Sequence, residues 1–313
     1  MINFYQQQAQ KGIPDFEDAA LQRLQNVADY WMPPALERAV NMALYLGQPL
    51  LLTGPPGTGK TALAYHLQQH FSASEAEIPL FRFNTKTNSV ASDLFYRYDS
   101  LRHFQFAQNR QEDLSITEIE RLFIRYQALG EAIRSNARAI VLIDEIDKAP
   151  RDLPNDILDV LEHLSFEVPE LGYVDKKRIA TKAAFRPLVI LTSNSEKNLP
   201  DAFLRRCVYF HIEFPNSDQL AEIMRRKTSN LKEGEIAQII QHFQAVRKQC
   251  QRKKPATAEL LQWMLVLEQL HESEALSIDQ LNQLEGEQKT ILQDSYSVLV
   301  KDEEDLKNVK ASL

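Results

Sequence analysis

The sequence predicts a three-layer α/β core, helices on both faces of a parallel sheet, followed by a wholly helical part. Three observations carry that prediction. Short apolar runs bounded by Gly, Pro or acidic residues recur between stretches of helical period. A glycine-rich loop, Gly54-Pro55-Pro56-Gly57-Thr58-Gly59-Lys60-Thr61, follows the first run directly. Beyond Phe214-Pro215 the strand-like runs stop, and Gly occurs only at positions 234 and 286. Apolar strands that do not alternate are buried on both faces, as in a parallel sheet covered by helices.

The elements follow in order. Asp15 to Tyr30 reads as a helix, with Phe16, Ala19, Ala20, Leu24 and Val27 at helical spacing. Pro33-Pro34 opens a second helix, Ala35 to Leu46, since Pro is tolerated in a first turn, and Gly47 ends it. Pro49 to Thr53 is the first buried strand, and Thr61 to Phe71 the helix after the loop. Pro79 to Asn84 is a second strand. Ser115 to Asn136 reads as one helix, from the spacing of Ile116, Ile119, Leu122, Phe123, Tyr126, Leu129 and Ile133. Ala139 to Ile143 is a strand ending in acids, and Leu188 to Thr192 one ending in Ser193-Asn194. The expected organisation is an N-terminal helical segment at 1–32, the α/β core at 33–214 and helices at 215–313. From about Ser273 the chain is rich in Gln, Glu and Lys, which predicts one or two surface helices with a frayed end.

Composition bounds the function. The 313 residues are 44% hydrophobic and 25% charged, the balance of a soluble globular protein with a sizeable core. A net charge of -7 argues against a broad nucleic-acid footprint, which needs clustered Lys and Arg. Cys207 and Cys250 are too few for a disulfide scaffold and read as reduced thiols. The start, MINFYQQQAQKG, lacks the pattern of a signal peptide, and no apolar run approaches the roughly 20 residues of a membrane span. The expectation is a cytoplasmic protein.

Four constellations carry chemistry. The loop at 54–61 matches G-x-x-x-x-G-K-[ST] completely. Its glycines let backbone N–H groups turn inward on an anion, at the positive end of the following helix. In such a loop Lys60 reaches the β and γ phosphates of a nucleotide and the Thr61 hydroxyl ligates Mg²⁺. Ile140-Val141-Leu142-Ile143-Asp144-Glu145 ends a buried strand in two acids, at the sheet edge where ligands bind. Asp144 is the expected Mg²⁺ holder and Glu145 the residue that polarises the attacking water. Asn194, at the end of another strand, either orients that water or contacts the γ-phosphate, or is a simple turn former. Arg205-Arg206 reads evenly as a solvated basic pair or as a finger for a neighbour's nucleotide. His66 and His70 lie four apart on a helix, but no third ligand for a metal is evident. Cys207 reads as a small buried hydrophobe. The aromatic-basic stretch Phe95 to Phe106 reads either as a substrate-gripping or nucleic-acid-contacting loop, or as a hairpin that packs its aromatics on the core.

The order GPPGTGKT, VLIDEID, LTSN, LRRC and then helices resembles the AAA+ ATPases, over about residues 30 to 270. Asp93 to Arg102 and Phe166 to Phe185 resemble the helix-2 insert and the pre-sensor hairpin of the MoxR group within them. The resemblance implies a ring of identical subunits, usually a hexamer, with ATP at each boundary. It implies Asn194 as first sensor and Arg206, or Arg205 beside it, as the finger acting in trans. The helices after 215 would form the lid. No Arg falls at the start of a late helix, so the second-sensor role would pass to Lys254 or Arg252. MoxR relatives commonly work with a partner that carries a von Willebrand factor A domain, in a chaperone-like role, and the resemblance implies such a partner here as a separate polypeptide. Two other readings stay open: a McrB-like GTPase motor of a nucleic-acid-directed defence system, and an assembly switch that binds ATP and turns over little.

Overall fold

The computed structural model describes residues 22–24, 26–73, 77–109, 114–172, 178–195 and 199–313. Of the helix expected over Asp15–Tyr30, the stretch before residue 22 lies outside the described residues. The rest is not one helix. The Asn26 side chain accepts from the Ala28 N–H and starts a separate 3₁₀ turn, Val27–Asp29. A side chain that bonds its own backbone in this way competes with helix propagation.

The chain divides into two compact units. One comprises Met32–Gly54 and Lys60–Ile212; the other gathers Pro55–Gly59, Glu213–Leu313 and the described residues up to Trp31.

The first unit is the α/β core. It opens with α1 (Pro34–Leu46), closed by Gly47 at φ 62°. Then come β1 (Leu50–Thr53), α2 (Lys60–Ser72) and β2 (Leu80–Asn84). A smaller set follows: β3 (Tyr96–Tyr98), α3 (Ser100–Asn109), α4 (Ile116–Phe123), β4 (Ile124–Tyr126) and α5 (Ala128–Arg134). Next are β5 (Ile140–Asp144), the short helices α6 (Asp152–Asp156) and α7 (Leu158–His163), and the strands β6 (Ser165–Glu167) and β7 (Arg178–Ala180). β8 (Leu188–Ser193), α8 (Asp201–Leu204) and β9 (Val208–His211) complete the unit.

Five strands form one parallel sheet in the order β2-β5-β8-β1-β9. The register aligns their C-terminal ends: Thr53 lies opposite Ser193 and His211, and Asn84 opposite Asp144. β1, β5 and β8 are buried at every residue, which is why they read as continuous apolar runs. β9 escaped the sequence reading. As an edge strand it alternates between partly buried and exposed residues over only Val-Tyr-Phe-His.

The helix expected over Ser115–Asn136 is three elements. Ser115 caps α4, with Glu118 reaching back to its N–H in a capping box. α4 then stops at Phe123, and Ile124-Arg125-Tyr126 pairs antiparallel with Tyr96–Tyr98. A β-branched and an aromatic residue favour that strand, and its partner lies in the aromatic-basic stretch Phe95 to Phe106. α5 starts after Gln127, whose N–H donates to the Phe95 carbonyl at 2.9 Å. Gly130 allows the close approach: a Cβ there would lie 1.8 Å from the Phe95 oxygen. Downstream, β6 and β7 form an antiparallel pair; residues 173–177 between them lie outside the described residues.

The second unit is helical: α9 (Ser217–Lys227), α10 (Glu233–Gln249), α11 (Thr257–Glu272), α12 (Gly286–Leu299) and α13 (Glu303–Ser312). Its core centres on Phe243, Trp263, Met264, Leu267 and Tyr296. The polar C-terminal stretch packs rather than frays. α12 buries Leu292, Tyr296 and Leu299, and α13 buries Val309. The Asp305 carboxylate, only 1% of the residue exposed, accepts from the N–H groups of Gln251, Arg252 and Lys253. Those bonds, led by the one from Lys253, hold its carboxyl below the usual range. The Lys227 ammonium is likewise buried against the carbonyls of Arg23, Leu24 and Asn26.

Candidate functional site

The aligned strand ends gather most of the residues singled out in the sequence. β1 runs into Gly54, whose φ of +139° belongs to the region that only glycine occupies at little cost. The carbonyl of Ile212 also passes 2.3 Å from where a Cβ would stand, so this position admits glycine alone. Pro55–Gly59 belongs to the helical unit. Within it the Thr58 hydroxyl donates to the Pro55 carbonyl at 2.9 Å, and the Ala258 N–H to the Gly57 carbonyl at 3.2 Å.

Lys60 begins α2 and is 7% exposed. Its Nζ donates to the Gly54 carbonyl at 2.8 Å and to Asn194 Oδ1 at 3.0 Å. Burial lowers its pKa, while Asp147, Asp144 and Glu145 act in the opposite direction. Asn194 is held in turn, its N–H donating to Asp147 Oδ1 at 3.2 Å. The loop lysine and the asparagine that follows β8 thus share a direct bond.

Asp144 ends β5 and is 6% exposed. Its Oδ1 accepts from the Thr61 hydroxyl at 3.1 Å and the Thr192 hydroxyl at 2.5 Å. Its Oδ2 accepts from Arg82 Nη2 at 2.8 Å. A carboxylate with a hydroxyl beside it is a hard-oxygen donor set, which fits Mg²⁺ chemistry. Glu145 follows Asp144 in the chain. Its backbone is left-handed, φ 58° and ψ 48°, and its N–H donates to Thr192 Oγ1 at 2.9 Å. Its carboxylate is 41% exposed and pairs with Lys148 at 2.5 Å. That bond raises the Lys148 pKa. One hydroxyl, Thr192 Oγ1, therefore ties both acids to β8.

Sequence reasoning missed Arg82, Thr192 and Asp147. Arg82 is 62 positions from the aspartate it meets, and only the β2-β5 pairing makes them neighbours. The signal that could have found it is a charged side chain inside an apolar strand, LFRFN.

Other singled-out residues stand apart from this cluster. Arg206 has partners within the chain: its Nε pairs with Glu162 at 3.4 Å and its Nη1 donates to the Ala202 carbonyl. Both ends of that pair are about half exposed. Arg205 is exposed and makes no ion pair among the described residues. Lys254, also exposed, precedes the Ala256 cap of α11, whereas Arg252 is taken by Asp302 and Glu304 at the start of α13. The Cys207 thiol is pushed up to about 12 by burial, as befits a packing residue. His66 and His70 stack at 6.3 Å, and no cluster of three metal-capable side chains exists among the described residues. In the Phe95–Phe106 stretch, Phe95 and Tyr96 stack on Phe166, and His103 on Phe123 at 4.4 Å. Most of its rings pack on the core, while Leu101 and Phe104 stay exposed.

Comparison with known proteins places this chain in a family. The chain is similar to the gas vesicle ATPase GvpN of Haloferax mediterranei, 26% identical over 221 residues, covering 68% of this chain and 60% of that protein. It is equally similar to the gas vesicle ATPase GvpN1 of Halobacterium salinarum, 26% identical over 223 residues with the same coverage. The match thus spans about three fifths of the length of these relatives. A solved Thermotoga maritima RuvB variant aligns with 90% of this chain and 71% of its own, at 15% identity and a TM-score of 0.46. No helix among the described residues is long and apolar enough to cross a membrane. The family model of the AAA domain, dynein-related subfamily, matches residues 49–207, from the first buried strand through the Arg205-Arg206 pair, and the chain belongs to that family.

Proposed function

We propose that the chain is a Mg-ATP hydrolase of the MoxR type that works as a ring of its own copies, usually six, and remodels or activates a separate partner protein. The observation that carries the reading is the bonding of Lys60 to Asn194 and of Thr61 to Asp144 at the aligned ends of β1, β5 and β8. Binding a triphosphate needs a buried cation and inward N–H groups, and a turnover site adds acids beside them. The name ATPase borne by the gas vesicle relatives supports the activity.

In this reading Gly54, Pro55, Pro56, Gly57, Thr58 and Gly59 wrap the phosphates with backbone N–H groups. Lys60 neutralises the terminal phosphates, and Asn194, already bonded to it, senses the outermost one. Thr61 and Asp144 hold Mg²⁺, which supplies charge neutralisation on the phosphate oxygens when bound. Glu145 polarises the attacking water; its exposed carboxylate must leave Lys148 to do so. Lys254 is the second sensor, since Arg252 is engaged with α13.

Arg206, with Arg205 beside it, acts on the nucleotide of a neighbouring copy, as a head-to-tail interface permits. The Glu162 pair is a half-exposed surface bridge of the kind worth about 0–1 kcal/mol, so it is no barrier to that exchange. The partner is proposed as a separate chain with a von Willebrand factor A domain. ATP turnover as a function of protein concentration tests the ring. Specific activity should rise with assembly, and Arg205→Ala or Arg206→Ala should lower it by about 10-fold or more while each variant still binds nucleotide. Full activity in both variants would remove the trans finger. Competition between ATP and GTP decides the base, and a turnover near zero in the assembled protein would favour the switch.

A further inference from the structure

Both carboxylate oxygens of Asp144 are engaged. Oδ1 accepts from Thr61 and Thr192, and Oδ2 accepts from Arg82 Nη2 at 2.8 Å. Arg82 reaches across from the edge strand β2, and its other nitrogen, Nη1, donates to the Tyr65 hydroxyl on α2 at 3.3 Å. The arginine side chain is 42% exposed and the aspartate side chain 9%. The guanidinium therefore has one end on a buried carboxylate, a second anchor on Tyr65, and a path to water.

A divalent cation drawn to Asp144 meets that guanidinium on the same carboxylate. Two positive groups sharing one buried acid repel, and water screens them poorly there. A cation that arrives with a triphosphate meets the opposite field, because the phosphate charges attract Arg82 as well as the metal. We propose that Arg82 gates metal entry: it suppresses binding of a free divalent cation at Asp144, so that the metal enters with the triphosphate. The proposal rests on the reading of Asp144 as metal ligand. Arg82 acts through Asp144 and is a positioning residue.

Mn²⁺ serves as the probe, titrated into the full chain and followed by electron paramagnetic resonance. Without nucleotide, Arg82→Gln should bind Mn²⁺ at least about tenfold tighter than wild type, a change of about 1.4 kcal/mol. Arg82→Lys, which keeps the charge, should stay near wild type. Adding Asp144→Asn to Arg82→Gln should abolish the gain. Unchanged Mn²⁺ affinity in Arg82→Gln overturns the gate, and so does a gain that survives Asp144→Asn. Arg82→Met, checked by circular dichroism, covers misfolding of the Gln variant. If neither variant folds, Arg82 is a structural counter-ion and the proposal fails. The underlying reading fails differently: Asp144→Asn alone would then leave Mn²⁺ binding in the presence of a non-hydrolysable ATP analogue unchanged.

Discussion

Thr192 shows how one hydroxyl can organise two acids. It donates to Asp144 Oδ1 and accepts from the Glu145 N–H, and Glu145 sits at φ 58°, a conformation costing a non-glycine residue on the order of 1–3 kcal/mol. Thr192→Val keeps the shape but removes both bonds, leaving a buried carboxylate oxygen and a backbone donor underserved. The urea midpoint should fall by the equivalent of about 1–3 kcal/mol. Turnover should fall while nucleotide binding persists, and a variant that matched wild type in both would show that Thr192 does not hold the pair. The sequence displays Lys60, Thr61, Asp144, Glu145 and Asn194 because each ends a strand or opens a helix within a recognisable spacing. Thr192 and Arg82 carry no such spacing. Their parts depend on which strands are neighbours, and strand order is not written in any local run.

At the scale of elements, what reads clearly is what is buried on both sides. β1, β5 and β8 stand out as apolar runs because every residue in them is buried. β9, at the edge, does not, and neither does the break between α4 and α5. The spacing of Ile119, Leu122 and Phe123 belongs to a true helix, but Tyr126 and Leu129 continue the same period by coincidence across a strand and a second helix. What forces the break is tertiary: the Phe95 carbonyl takes the Gln127 N–H and lies against Gly130. Gly130→Ala would place a Cβ 1.8 Å from that oxygen. The β3-β4 pair must then separate from α5, with a loss of about 3 kcal/mol or more, beyond ordinary overpacking because the obstacle is backbone. Thermal unfolding measures it, and an unchanged melting temperature would refute the close approach.

At the scale of the whole molecule, each unit has its own core. The helical unit's includes a polar chain that runs from the buried His242 and Tyr296 to the exposed Asn282. His242 Nε2 lies 2.7 Å from the Tyr296 hydroxyl and Nδ1 2.8 Å from Asn282 Oδ1. Asn282 Nδ2 donates to Gln238 at 2.6 Å, so Oδ1 is the acceptor and His242 carries its proton on Nδ1. Burial lowers the His242 pKa, partly offset by the Asn282 bond. Its depressed folded value gives a definite sign. Stability is complete above the unfolded value of about 6.5 and is lost as pH falls below it, because the unfolded chain takes the proton more readily. The urea midpoint of wild type should drop between pH 7.5 and 5.5 more than that of His242→Gln; equal drops would show that His242 is not the group responsible.

The cluster around Lys60, Asp144 and Glu145 is proposed to bind ATP and hydrolyse it. The direct measurement is steady-state ATP turnover of the assembled full chain, with ATP binding measured on the same samples, for wild type and Glu145→Gln. Glu145→Gln should bind ATP as wild type does and turn it over slower by on the order of 10²-fold or more, the share a positioned general base supplies. A Glu145→Gln protein that hydrolyses ATP as fast as wild type would contradict it.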